Sequence, residues 1–206
     1  DEVVERARFD APDLSRHGAG LNTSQAAAAD ALKALVDERA FGVALLDGVT
    51  GSGKTEVYLE AAAAALAADP QGQVLILLPE IALTQAVIAR VAERFGALPG
   101  EWHSDIAPPM RRRVWDGVAD GTCRIVVGAR SALFLPFRDL RLIVVDEEHD
   151  GSFKQEEGFI YHARDLAVAR GRIEGAAVVL ASATPSLESL RNAETGRYRW
   201  LKLAAR

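Results

Sequence analysis

Two hydrophobic periods alternate along the chain. Runs of consecutive apolar residues occur at 43–46, 74–78, 142–145 and 178–181, and 124–127, where three apolar residues follow Arg124, is a further strand candidate. Runs of this length, bounded by turn residues, predict strands buried on both faces. Between them the apolar positions recur every three or four residues. That period predicts helices over 26–39, 54–68, 80–95, 108–118, 163–173 and 187–194. In the third of these, Ile81, Val87, Ile88 and Val91 form one stripe. Asn22 followed three residues later by Gln25 has the form of a capping box, so the first helix has a defined start. Pro70 and Gly72, Gly96, Pro99 and Gly100, and Gly121 supply the stops. A short strand is expected near residues 101–103, and an irregular stretch after Asp146.

Strands alternating with helices predict an α/β domain with a mostly parallel central sheet and helices on both faces. No repeat and no Ser/Gly-rich linker divides it. Pro12, Gly18 and Gly20 break any period in residues 1–21, which read as a lead-in from an upstream domain; residues 22–206 read as one domain.

Composition removes several function classes. Hydrophobic residues are 49% and charged residues 26% of 206, ordinary usage for a folded domain. The 24 basic and 29 acidic side chains give a net charge of −5. That excludes coating DNA by bulk charge but not a local nucleic-acid track. The single cysteine, Cys123, excludes an internal disulfide and a four-cysteine zinc site within this chain. The longest apolar stretch, 61–68, is an alanine-rich helix face, far short of a membrane span. The opening residues, Asp1 to Arg6, carry no basic segment followed by an apolar one. A cytoplasmic protein without membrane contact is therefore expected. The absence of an initial Met suggests a piece of a longer chain.

The strongest chemical signal is Gly48-Val49-Thr50-Gly51-Ser52-Gly53-Lys54-Thr55, which matches G-x-x-x-x-G-K-[ST] between a predicted strand and a predicted helix. Glycines let the backbone curl until several N–H groups face phosphate oxygens, and the helix adds its positive end. Gly48, Thr50, Gly51, Ser52 and Gly53 form the cradle. Lys54 is placed to reach the outer phosphates of ATP and Thr55 to ligate Mg²⁺. Asp146 and Glu147 end another strand. Asp146 is the expected Mg²⁺ partner, and Glu147 the group that polarises the attacking water.

Asp146-Glu147-Glu148-His149 resembles the second motif of superfamily 2 helicases and translocases, and Ser182-Ala183-Thr184 resembles the third. These give His149, Ser182 and Thr184 a coupling role in that comparison; Ser182 to Thr184 also fits an ordinary helix cap before Pro185. The likeness then narrows. LPEIALTQ from Leu78 to Gln85, GARSALF from Gly128 to Phe134, and DEEHDGSFKQEEGFIYHARD from Asp146 to Asp165 resemble the primosomal protein N′ (PriA) family of replication-restart helicases. The likeness covers about residues 21–195.

That resemblance implies a RecA-like P-loop domain, the ATP-binding first lobe of a 3′→5′ DNA helicase. Such a helicase recognises stalled or abandoned replication forks and promotes primosome assembly. It implies that Gln25 reads adenine. It also implies an aromatic-rich loop that senses single-stranded DNA, here Phe153, Lys154, Phe159, Tyr161 and His162. Bases stack on aromatic faces without sequence preference, although these side chains fit a local core equally well. Thr84, Gln85, Arg130 and Ser131 are further DNA-track candidates. Arg111, Arg112 and Arg113 spread around a helix and carry little weight. The implied partners are forked and single-stranded DNA, a single-stranded-DNA-binding protein and other primosome or helicase-loading proteins. The implied setting is a bacterial, nucleoid-associated cytoplasm. The second lobe, with its arginine fingers and zinc-binding cysteines, is absent from these residues. The isolated lobe is expected to bind nucleotide weakly and not to unwind DNA. Two other classes remain: a loading scaffold with a retained nucleotide site, and a related DNA-dependent translocase.

Overall fold

A computed structural model describes residues 9–79, 85–156 and 158–204. Seven strands form one sheet: β1 (Gly42–Asp47), β2 (Gln73–Leu77), β3 (Gly100–Trp102), β4 (Ile125–Gly128), β5 (Leu140–Asp146), β8 (Ala177–Ser182) and β9 (Arg199–Lys202). Their order across the sheet is β3-β4-β2-β5-β8-β1-β9. Every neighbouring pair is parallel, which tightens the expectation of a mostly parallel sheet. Two further strands, β6 (Lys154–Gln155) and β7 (Tyr161–His162), make a small antiparallel hairpin within the stretch expected to be irregular.

Among the described residues, six α-helices cover the sheet: α1 (Thr23–Asp37), α2 (Lys54–Ala68), α3 (Gln85–Phe95), α4 (Pro108–Asp120), α5 (Ala163–Glu174) and α6 (Leu187–Glu194). The apolar runs sort by parity, because successive strand side chains point to opposite faces. Ala44, Leu46, Val74, Ile76, Leu142, Val144, Val179 and Ala181 pack with α1, α2 and α3. Val43, Leu45, Leu75, Leu77, Ile143, Val145, Val178 and Leu180 pack on the other face with α4, α5 and α6. Alternate residues thus serve two cores, and each run must be apolar throughout.

The capping box forms as expected: the Asn22 side chain accepts from Gln25 N at 2.9 Å, and Gln25 Oε1 accepts from Asn22 N at 2.9 Å. The third helix is described from Gln85, and its expected first turn, residues 80–84, lies outside the described residues. Residues 9–21 hold no helix or strand but lie against the sheet layers. Asp13 N donates to Phe95 O at 2.7 Å, and Arg113 stacks on the Phe9 ring at 4.4 Å. Among the described residues, no helix is long and apolar enough to cross a membrane.

Candidate active site

Three loops leave the carboxyl ends of β1, β8 and β5, which are adjacent strands. Asp47 is in register with Ser182, and Ala181 with Asp146. In an open parallel sheet this edge is where ligands settle.

The first loop joins β1 to α2. Gly51 and Gly53 have φ of +78° and +84°, the left-handed region a β-carbon opposes. At Gly53 a Cβ would also lie 2.4 Å from Gln25 Nε2. Gly48 N donates to Ser182 O at 3.1 Å, tying the loop to the end of β8. Lys54 is 7% exposed, and its ammonium turns back on the loop, donating to Gly48 O at 2.8 Å and Val49 O at 3.4 Å. Two observations fit a phosphate here. Among the described residues, Ser52 Oγ is buried without a hydrogen-bond partner, and no side chain caps the first turn of α2. Buried polar atoms ordinarily have partners, and free N–H groups at a helix start attract anions. Thr55 stands in that first turn, half-buried, and Thr50 is exposed at the loop tip.

Gln25 is 5% exposed, and both ends of its amide are engaged. Oε1 closes the capping box, and Nε2 donates to Ser52 O at 2.8 Å. In this conformation it braces the phosphate loop, so presenting its edge to a purine requires release of these bonds.

The second loop follows β5. Asp146 accepts from Tyr58 Oη at 3.0 Å and from Glu147 N at 3.0 Å. Burial, and then the Glu147 charge, hold its carboxyl above the usual carboxylate range, opposed by the Tyr58 hydrogen bond and Lys54. Tyr58 is wholly buried, and burial and the Asp146 charge push its phenol well up, so it remains a donor. Glu147 has φ +50°, a left-handed conformation that costs a non-glycine residue ~1–3 kcal/mol. It is held there by Asp146, which accepts from its N–H, and by Asp150 N, which donates to its carbonyl at 2.8 Å. His149 Nδ1 lies 2.7 Å from Ser182 Oγ and 3.6 Å from Glu147 Oε2. Ser182 Oγ also accepts from Thr184 N at 3.0 Å. The acidic motif, the end of β8 and the phosphate loop are thereby bonded into one edge.

Glu148, directly after the two acids already assigned, is completely buried. Its carboxylate accepts from Ser186 N at 2.7 Å, Ser186 Oγ at 2.9 Å, Ser189 Oγ at 3.0 Å and Arg164 Nη1 at 3.4 Å.

Beyond Asp150 the aromatic residues divide. Phe153 is 1% exposed and belongs to the core under α5. This corrects its reading as a base-stacking candidate: a ring with no free face takes no base. Phe159 is 75% exposed and Ile160 70%. Phe159 lies 6.0 Å from Tyr161, and Tyr161 meets the half-exposed Phe134 edge-on at 5.4 Å. Arg130 is half-buried, and one nitrogen of its guanidinium is already engaged. Its Nη1 donates to Ser152 O at 2.8 Å and Lys154 O at 3.0 Å, tying the turn after β4 to the start of the hairpin. Lys154 pairs with Glu156 at 2.6 Å. His162 caps α5, its Nδ1 accepting from Arg164 N at 3.3 Å. Burial, then the neighbouring Arg164 charge, depress its pKa, which suits a neutral acceptor. Ser131 and Gln85 are exposed at the starts of their turns, and Thr84 lies outside the described residues.

Four participants escaped the sequence reading. Tyr58 had a signal: it follows Lys54 by four residues, on the same helix face. Phe134 ends a motif already singled out. Glu148 and Arg164 had none, since sequence does not say which of three adjacent acids turns inward, or that Arg164 turns in to meet it.

A family model described as DEAD/DEAH box helicase matches residues 23–193. The replication restart protein PriA of Rickettsia conorii is 48% identical over 162 residues, 79% of this chain and 25% of that protein. PriA of Haemophilus influenzae is 45% identical over 186 residues, 90% of this chain and 25% of that protein. The chain therefore spans about a quarter of the length of these curated relatives. Among solved structures, RecG bound to a three-way DNA junction superposes with a TM-score of 0.67 at 18% identity, over 95% of this chain and 27% of that one. The DUF1998 helicase MrfA gives 0.61 at 22% identity, over 89% and 30%. At these identities the two structures bear on the fold alone.

Proposed function

The chain belongs to the DEAD/DEAH box helicase family, as a helicase lobe of the PriA type, and from that premise we propose that it is the ATP-binding lobe of a DNA-dependent motor serving replication restart. The observation that carries the proposal is the convergence, on one sheet edge, of the phosphate loop, the Asp146–Glu147 pair and the bonded His149–Ser182 couple.

The nucleotide is ATP with Mg²⁺, which would spread the developing phosphoryl charge. Ser52 Oγ and the uncapped first turn of α2 meet phosphate oxygens. Lys54 exchanges the carbonyls of Gly48 and Val49 for the outer phosphates. Thr55 and Asp146 offer oxygen ligands to the cation. Its binding also relieves the cost of an ionised Asp146, whose burial disfavours the charged form. Glu147, released from the neighbourhood of His149, orients the attacking water as a general base. Transition-state arginines come from elsewhere in the parent protein.

DNA meets the exposed ring of Phe159 with Tyr161 and Phe134 behind it, by stacking that any base satisfies. Forked DNA, a 3′→5′ direction, a single-stranded-DNA-binding protein and helicase-loading partners belong to this proposal through the PriA likeness.

The test uses the full-length parent protein on forked DNA. Glu147→Gln is expected to abolish DNA-stimulated ATP hydrolysis and fork unwinding together while leaving ATP bound. Unwinding that survives without hydrolysis refutes the motor. Hydrolysis without strand separation in the wild type favours a translocase, and wild-type restart activity that Glu147→Gln leaves intact favours a loading scaffold.

A further inference from the structure

The buried ion pair Arg164–Glu148 lies outside the phosphate loop and outside the exposed aromatic surface, and neither of those explains it. Glu148 shares a peptide bond with Glu147, the one acidic-loop residue with a positive φ. Its backbone N donates to Ala181 O at 3.0 Å. Its carboxylate is 0% exposed and draws donors from two further segments: Ser186 and Ser189 at the start of α6, and Arg164 in the first turn of α5. Arg164 is 6% exposed. One of its nitrogens, Nη1, donates both to Glu148 Oε2 and to Ser186 Oγ at 2.7 Å, while Nε is held by Asp165 at 2.8 Å. Its backbone N donates to His162 in β7, the strand beside the exposed Phe159 and Ile160.

We propose that Arg164 is a positioning residue that couples the 154–162 hairpin to Glu147 by way of Glu148. The proposal deepens the motor reading above and rests on it. Two physical points favour coupling over simple packing. First, Glu148 already has three good donors without Arg164, so its hydrogen bonds do not require the guanidinium. Second, a buried charge pair is no better for stability than a well-packed apolar one, whereas a planar fork that is anchored by Nε on Asp165 and aims Nη1 at Glu148 and Ser186 fixes the orientation of α5 against the acidic loop and the start of α6. A displacement of the hairpin carries His162 and the first turn of α5. Arg164 then moves against Glu148 and the peptide that holds Glu147 in its left-handed conformation. A lysine keeps the charge but lacks the fork, so it should keep the fold and lose the linkage.

The test compares wild type, Arg164→Lys and Arg164→Gln in the full-length protein. Thermal melting, affinity for single-stranded DNA, and ATPase with and without DNA are measured for each. For Arg164→Lys we expect melting and DNA affinity close to wild type, unstimulated turnover within twofold, and DNA-stimulated turnover reduced about tenfold. Stimulated turnover equal to wild type, or stimulated and unstimulated rates falling by one common factor, overturns the proposal. If Arg164→Gln fails to fold, the lysine variant still decides. A wild type without DNA stimulation instead counts against the motor reading. Amide exchange then tests the linkage separately. A non-hydrolysable ATP analogue should slow exchange over residues 158–162 in wild type and not in Arg164→Lys. The same response in both proteins, or none in wild type, overturns it.

Discussion

Around the phosphate loop the reactive side chains already hold one another: Lys54 on the carbonyls of Gly48 and Val49, Asp146 on Tyr58, His149 on Ser182. On the hairpin a few residues downstream the large side chains face outward, with Phe159 75% and Ile160 70% exposed in the connection between strands of two residues each. The difference follows from what each region meets. A small charged ligand must displace specific bonds, so the site that takes it is preorganised and selective. A polymer of bases offers flat apolar faces, and a surface that takes it needs only rings and access. The seam between the two is the run from Asp150 to Arg164, where one aromatic is core and another is surface.

That contrast predicts a ranked set of effects. The largest falls on Phe153→Ala. Loss of a fully buried ring should destabilise the folded lobe by ~3–5 kcal/mol, read as a lower denaturant midpoint. Lys54→Ala should lower ATP turnover of the full-length protein by ~10²-fold while its melting temperature stays close to wild type; a collapsed melting temperature would mean that the internal bonds of Lys54 are structural. Phe159→Ala, only six positions from Phe153, should leave stability unchanged. It should cost ~1–3 kcal/mol of single-stranded-DNA affinity and reduce DNA-stimulated ATPase more than the unstimulated rate; equal losses would remove Phe159 from the sensing surface. The smallest effect concerns His162. Its folded pKa is depressed, so its neutral form contributes stability above the unfolded value of about 6.5, and that contribution is lost as pH falls through the folded pKa. Between about pH 7.5 and about pH 5, wild type should therefore lose more melting temperature than His162→Asn, which retains a capping side chain. Parallel curves would show that His162 stays out of the titration.

Much of this was legible in the chain. Four apolar runs became central strands because both faces of a covered parallel sheet demand it, and the helix from Lys54 to Ala68 has the bounds expected of it. β9 escaped because an edge strand is pinned from one side. Arg199 and Lys202 are exposed, Trp200 and Leu201 half-buried, and Trp200 holds on by donating to Asp47 at 3.1 Å. The hairpin escaped because two-residue strands have no period. At the site, residue type and spacing pointed to the phosphate loop and the acids, since that chemistry leaves little choice of side chain. Phe153 and Phe159 could not be told apart, because both are phenylalanines in a polar stretch and only the path of the backbone decides which turns inward. Glu148 and Arg164 were opaque for the same reason: a buried charge looks like an exposed one until its partner, sixteen positions away, is seen beside it.

The order of the strands has a consequence for how the lobe is made. β2 finds its neighbours in β4 and β5, all within the middle of the chain, but β1 lies between β8 and β9. On the ribosome, β1 emerges before the other strands of this sheet and waits with both edges open until more than a hundred further residues are synthesised. Throughout that interval its apolar segment is a template for stray strands of other chains, and the loop after it has no edge to sit on. Chains halted before β8 should therefore be sticky and unable to hold a nucleotide, which makes the strand that carries the phosphate loop the last to be secured.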